Sequence, residues 1–275
     1  MNHPASLALL AAVVLLSSCS ALQHNYTGQI DENYNCTQCD LRYIELTRVN
    51  MSGADLTGSY IFGARIIDSQ LVGAQLRSAS FSFANLTRSN LSEVIAPNAI
   101  FSDAILVDAV LSDGDFSFAN FRGANMHGVD LSGVEMATAD LSYSDLDSAV
   151  MTSSSMRKVN FVGAKLKAAK IMTSDFSHAI LTGVDLHGVS ASLSNFTYAD
   201  FRGANLRDTK LSMSSFTNAD LSGADLTGAD IAGANFRHAN LSGSILTGLD
   251  LSSANFDSAN FCDATMPDGL VHHCF

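Results

Sequence analysis

No apolar run in the chain approaches the roughly 20 residues of a bilayer-spanning helix; the run Leu7–Leu16 holds ten. Basic residues are scarce too, with 15 Lys and Arg against 27 Asp and Glu and a net charge of −12. Such a chain repels phosphate backbones, which excludes nucleic acid as an electrostatically held partner. Proline numbers three; Pro97 removes a backbone donor, and Pro267 opens the turn-type sequence Pro267-Asp268-Gly269. Phosphate loop, nucleophile elbow and zinc-ligand spacing are all missing, so the common routes to phosphoryl transfer, acyl transfer and metal catalysis have no foothold. No long amphipathic helix follows the last repeat.

What is present is a period of five. A large apolar residue recurs from Leu41 through Leu46, Met51, Leu56 and Ile61 to Phe256, Phe261 and Met266, giving 46 positions in one phase with only Ala96 and Ala191 small. In a helix five residues turn about 500°, so this series would wander around the axis. In a strand an odd period alternates between faces. A chain that turns a corner every five residues gathers the series on one side. Four such sides close a coil of twenty residues around a central axis, and stacked coils make a solenoid in which each unit buries its face on its neighbours.

The other slots agree. Two residues before each large one sits a small inward residue such as Ala54, Ala64, Ala219 or Ala224, since a narrow interior admits little else. The residue between is polar and outward, as at Asp55, Asn85, Asp220 and Asp225. Ser, Thr or Arg and then often Gly follow, residues suited to a corner.

The run Ala219-Asp220-Leu221-Ser222-Gly223-Ala224-Asp225-Leu226-Thr227-Gly228 closely resembles the pentapeptide-repeat family. The resemblance covers nearly the whole chain beyond residue 40. It implies an all-β fold, a right-handed quadrilateral parallel β-helix. At strand spacing of about 4.8 Å, about 11 coils make a rod roughly 55 Å long. The expected organisation is a leader over 1–18, a tether and N-terminal cap over 19–38, the β-helix over 39–268 and a C-terminal tail over 269–275.

The chain opens Met1-Asn2-His3-Pro4, and Leu16-Ser17-Ser18-Cys19 closes its apolar run. This resembles the lipobox of bacterial lipoproteins, which implies cleavage before Cys19, lipidation of its thiol and membrane attachment through that lipid. The n-region departs from the pattern in lacking Lys and Arg; an ordinary secretory signal is the alternative. Ser20 after the cysteine resembles outer-membrane sorting, with the rod facing periplasm or cell surface.

The other cysteines fall as Cys36 and Cys39 at one end and Cys262 and Cys274 at the other. A disulfide needs Cα atoms within about 7 Å, so on a rod of this length only Cys36–Cys39 and Cys262–Cys274 can form within one chain, as caps in an oxidising compartment. The alternative for Cys36-Thr37-Gln38-Cys39 is redox or zinc chemistry. His127 and His187 share a wall three coils apart, about 14 Å at strand spacing, too far for one metal. His272 and His273 read as a frayed tail. No cofactor, metal or catalytic residue is expected. The Asn-x-Ser/Thr sequences arise from the repeat itself and say little of glycosylation.

One coil breaks the outward pattern. Ile95, Ile100, Ile105 and Val110 occupy four successive outward slots, one per wall, near Ala96 and Pro97 and flanked by Asp103, Asp108 and Asp113; Phe83 and Phe118 stand on corners nearby. This belt is the candidate site for a protein partner or a homodimer. Together these features point to a non-enzymatic, lipid-anchored scaffold of the bacterial cell envelope with an unknown protein partner. The alternative is a cytoplasmic DNA mimic acting on gyrase, as the resemblance to some family members implies, with which the rod shape and acidity of this chain agree. An envelope redox protein using Cys36 and Cys39 is a third.

Overall fold

The computed structural model describes residues 35–274. Parallel bridges join outward residues to those twenty further on, from Asp40↔Tyr60 to Ile245↔Thr265, with Asp230 and Asp250 the exception in that series. One pairing widens into a short ladder between β1 (Glu45–Thr47) and β2 (Arg65–Ile67). The rise per coil is legible in the stacked core rings: Phe101–Phe121, Phe216–Phe236 and Phe236–Phe256 each lie 4.8 Å apart between centroids. That is strand spacing.

Each slot of the repeat has its own hydrogen-bonding duty. The large residue donates its N–H to the next coil, as Leu221 does to the Asn240 carbonyl at 2.7 Å. The corner residue does the same, Tyr43 to Phe62 at 2.9 Å. The outward residue donates to the previous coil, Tyr60 to Cys39 at 2.8 Å. The small inward residue closes the turn on the large residue three before it, Ala54 to Met51 at 3.1 Å. Where the outward residue is Asp or Asn, the fifth donor, just after the large residue, is taken by its side chain: Asp115 Oδ1 accepts from Ser117 N–H at 2.9 Å, and Asp220 Oδ1 from Ser222 N–H at 3.0 Å. The outward Asp and Asn are therefore Asx caps that complete the backbone accounting.

This corrects the role expected for Pro97. It occupies the fifth slot, whose N–H stays out of the inter-coil ladder except where β1 and β2 widen it, so the ladder loses nothing at this coil; its carbonyl still accepts from Ser78 at 3.0 Å. Pro267 sits in the same slot and accepts from Gly248. That slot is the first central position of the turn, where proline's fixed φ is favourable. The residue after it is left-handed at nearly every corner, with φ of 58° at Phe83 and 59° at Asp113 as well as at the glycines.

Large and small inward residues are almost all fully buried. Serines in the small slot are buried too, and Ser154, Ser174, Ser194 and Ser214 form a column inside one wall. Ser174 Oγ donates to the Met151 carbonyl at 2.6 Å and accepts from Ser154 N–H at 3.1 Å; Ser194 repeats the pattern one coil on, to Ile171 at 2.6 Å. Among the described residues no buried side-chain polar atom lacks a partner, which is what a buried hydroxyl requires.

Both ends differ from expectation. The first coil starts one repeat before Leu41. Cys36 fills a large-residue slot, donates to the Asp55 carbonyl and is 3% exposed, while Cys39 fills the following small slot. Residues 35–38 thus belong to the solenoid and not to a separate cap. At the other end a 3-10 turn (Leu251–Ser253) replaces one corner. Residues 271–272, expected as a frayed tail, form β4 (Val271–His272), antiparallel to β3 (Ala264–Thr265). Their turn runs over Pro267-Asp268-Gly269, with Gly269 at φ 84°. This hairpin lies across the end of the coil stack.

Candidate functional site

A depression open to solvent lies at the C-terminal hairpin, lined by Met266, Pro267, Asp268, Leu270, Val271 and His272. It brings no nucleophile to a base. No cluster of His, Cys, Asp and Glu suited to a metal occurs among the described residues, nor any helix long and apolar enough to cross a membrane.

The cysteines fall at the two ends. Cys36 and Cys39 are bonded, with Cα atoms 5.5 Å apart, and both are buried in the first coil. Cys262 and Cys274 are bonded with Cα atoms 5.2 Å apart and tie the last coil to the segment just after β4. Cys19 lies outside the described residues.

The belt is a ring. Ile95, Ile100, Ile105 and Val110 bridge to different columns: Gln75 and Asp115, Ser80 and Asn120, Asn85 and Asn125, Asn90 and Asp130. Each is therefore isolated between polar residues above and below. Ile100 is 39% exposed. These side chains cannot serve as Asx caps, and for Ile95 none is needed, because Pro97 lacks the N–H it would meet. Asp103, Asp108 and Asp113 stand on three corners, each against a glycine of the next coil, Gly123, Gly128 and Gly133, where a Cβ would strike the carboxylate.

A second apolar feature is contiguous and was not anticipated. At one corner near the start of the rod Tyr43 meets Phe62 edge-on at 5.6 Å, and Phe62 meets Phe83 at 5.2 Å. Tyr43 is 66% and Phe83 54% exposed. The Tyr43 ring lies over Gly63 of the next coil, where a Cβ would come within 2.8 Å of it. The signal available in the sequence was the spacing: large apolar residues in corner slots 19 and 21 residues apart, one coil each.

Charged groups pair locally. Arg202 grips Asp200 through both carboxylate oxygens, at 2.8 and 2.6 Å. That hydrogen bond, against a smaller opposing effect of burial, holds the Asp200 carboxyl below its ordinary range and raises Arg202. Arg88 does the same across one coil to Asp68, at 2.7 and 2.9 Å, and lowers that carboxyl. At Asp225 burial opposes ionisation but is outweighed by Thr227 and Arg207, so its carboxyl is also lowered. Among the histidines, His178 stacks on Tyr198 at 5.0 Å and His187 donates from Nδ1 to the Arg207 carbonyl, 3.1 Å away.

A flat-walled four-sided β-solenoid with alternating inward Ala and Leu or Phe defines a class of protein, and comparison of the sequence identifies it. The model for pentapeptide repeats matches in eight copies, over 35–66, 61–92, 69–106, 99–136, 135–171, 174–208, 199–237 and 229–266. The chain belongs to the pentapeptide-repeat family, and its fold is that family's right-handed quadrilateral β-helix. Solved structures similar to it include HetL, a pentapeptide repeat protein involved in heterocyst differentiation regulation from the cyanobacterium Nostoc sp. strain PCC 7120. HetL is 26% identical over 86% of this chain and 92% of its own, with a TM-score of 0.38. A pentapeptide repeat protein from the Arabidopsis thaliana thylakoid lumen is 27% identical over 42% of this chain and 71% of its own, TM-score 0.28. QnrB1, a plasmid-mediated fluoroquinolone resistance protein, is 19% identical over 68% and 93%, TM-score 0.30. No curated protein sequence matches the chain.

Proposed function

We propose that this protein is a non-enzymatic, lipid-anchored scaffold of the bacterial cell envelope, held to the outer membrane by lipid on Cys19 and presenting its walls to a protein partner in the periplasm or at the cell surface. The observation that carries this reading is the pairing of cysteines at both ends of the rod, Cys36 with Cys39 and Cys262 with Cys274. Stable structural disulfides belong to oxidising compartments, and the Leu16-Ser17-Ser18-Cys19 sequence supplies both a route there and an attachment point. Flat polar walls without a catalytic pocket suit surface recognition, as does membership of a family of structural and interaction proteins.

The test is fractionation of cells making the wild type or Cys19→Ala, fed labelled fatty acid. Label and outer-membrane recovery for the wild type alone are expected. Unlabelled protein in the cytoplasm would reject the anchor. The second reading, a DNA mimic directed at gyrase, would then be the one to assay, because the net charge of −12 on a rod favours it.

A further inference from the structure

The charge of this rod is unevenly distributed along its length. Residues 35–90 carry five arginines (Arg42, Arg48, Arg65, Arg77 and Arg88) against four carboxylates (Asp40, Glu45, Asp55 and Asp68), a net of +1. Residues 91–275 carry ten basic against 21 acidic side chains, a net of −11. The coils that escape the acidity are those that bear the exposed Tyr43–Phe62–Phe83 corner. Arg42, Arg65 and Arg88 pair with Asp40, Glu45 and Asp68 on these coils, which leaves the surface around the corner without the net acidity of the rest. Aromatic rings on such a surface, with Arg48 and Arg77 on the same coils, have the chemistry of a lipid headgroup region, where amphipathic rings sit at the boundary and cations meet anionic lipid.

Position along the chain agrees. Only residues 20–34 separate Cys19 from the first described residue, an extended reach of at most roughly 55 Å. A lipid on Cys19 therefore keeps this end of the rod near the bilayer, while the acidic remainder is repelled by an anionic surface. A lipid chain and a second weak contact reinforce each other, since the tether makes the contact intramolecular. We infer that the corner formed by Tyr43, Phe62 and Phe83 seats the rod on a lipid surface with anionic headgroups, which fixes which walls face away from the membrane. The inference rests on the lipid anchor proposed above. A second copy is a poorer occupant, because pairing two rods side by side would set acidic walls against each other.

The chain contains no tryptophan, so one introduced indole reports alone. The experiment uses full-length protein purified from membranes as Phe83→Trp, as Tyr43→Trp in case the first disturbs the corner, and as Leu270→Trp at the exposed far end. Each is reconstituted into vesicles of phosphatidylethanolamine and phosphatidylglycerol with brominated acyl chains, and intact mass is measured on the same samples. The expected result is lipid-modified protein in which indole at 83 or 43 shifts to the blue and loses most of its emission to bromine, while indole at 270 does neither. Lipid-modified protein whose indoles at 83 and 43 behave like that at 270 overturns the seat and leaves the anchor intact. A mass without lipid removes the anchor and, with unquenched indoles, the seat as well. A blue shift that ignores bromine and grows with protein concentration assigns the corner to a second copy and also overturns the inference.

Discussion

Ile95 stands two residues ahead of Pro97, so the repeat loses an Asx acceptor and the backbone donor it would have met at the same place. Where the outward residue is Asp or Asn that donor meets an acceptor, as Ser117 N–H meets Asp115. The expected consequence is asymmetric. Ile105→Asn supplies an acceptor for Val107 N–H and raises stability by ~1 kcal/mol, while Asp115→Ala lowers it by about the same. Ile95→Asn changes little alone but gains once Pro97→Ala restores the donor. Urea midpoints of these variants decide the matter; an equal gain from Ile95→Asn alone would refute the capping role.

The aromatic corner depends on glycine one coil on. Gly63 has φ 63° and a Cβ there would lie 2.8 Å from the Tyr43 ring, whereas Gly73, at φ 66°, has nothing within 4 Å. Gly73→Ala should therefore cost only the backbone preference, ~1 kcal/mol. Gly63→Ala should cost more, and Tyr43→Ala in the same chain should return it to the Gly73→Ala level. A double-mutant cycle by chemical denaturation measures this coupling. Additive effects of Gly63→Ala and Tyr43→Ala would show that the ring does not need the glycine.

Asp200 and Arg202 set a pH dependence. The Arg202 hydrogen bond depresses the Asp200 carboxyl below its unfolded value, ordinarily near 3.9. A depressed carboxylate contributes stability that is complete above the unfolded pKa and fades as pH falls through the folded one. Asp200→Asn should thus be less stable than wild type at neutral pH, by no more than ~1 kcal/mol for a pair this exposed. The difference should shrink below about pH 4. No gap between the two proteins at any pH from 7 to 3 would mean that Asp200 contributes through its Asx cap alone, since Asn retains that acceptor.

The architecture was legible in the sequence because it depends on one repeated demand. Every large residue from Leu41 to Met266 must point to one axis, and only a corner every five residues achieves that. The limits of the rod were not legible, because chemistry changes where geometry does not: Cys36 fills the slot of a leucine, so the first coil is invisible to a search for large aliphatic residues. The duty of the outward Asp and Asn was misjudged for a similar reason. Their polarity looks like solvent exposure, and only the backbone donor two residues on reveals a cap. The Tyr43–Phe62–Phe83 contact joins neighbours about twenty residues apart, outside any short window of sequence.

The belt makes a prediction of its own. Ile95, Ile100, Ile105 and Val110 ring the rod, each flanked along its wall by polar residues, so a flat partner can cover one or two of them and not four. Ile100 and Ile105 are on adjacent walls and are 39% and 38% exposed. A partner that wraps the corner between them would bury both, along with Asp103 on that corner. Ile100→Asp with Ile105→Asp should leave the fold intact, since aspartate at an outward slot can cap the following turn, and should abolish crosslinking to the partner or lower the sedimentation coefficient of a dimer. Unchanged sedimentation together with an unchanged crosslinking pattern would show that the belt is only β-branched side chains suiting extended backbone, and that any partner binds another wall.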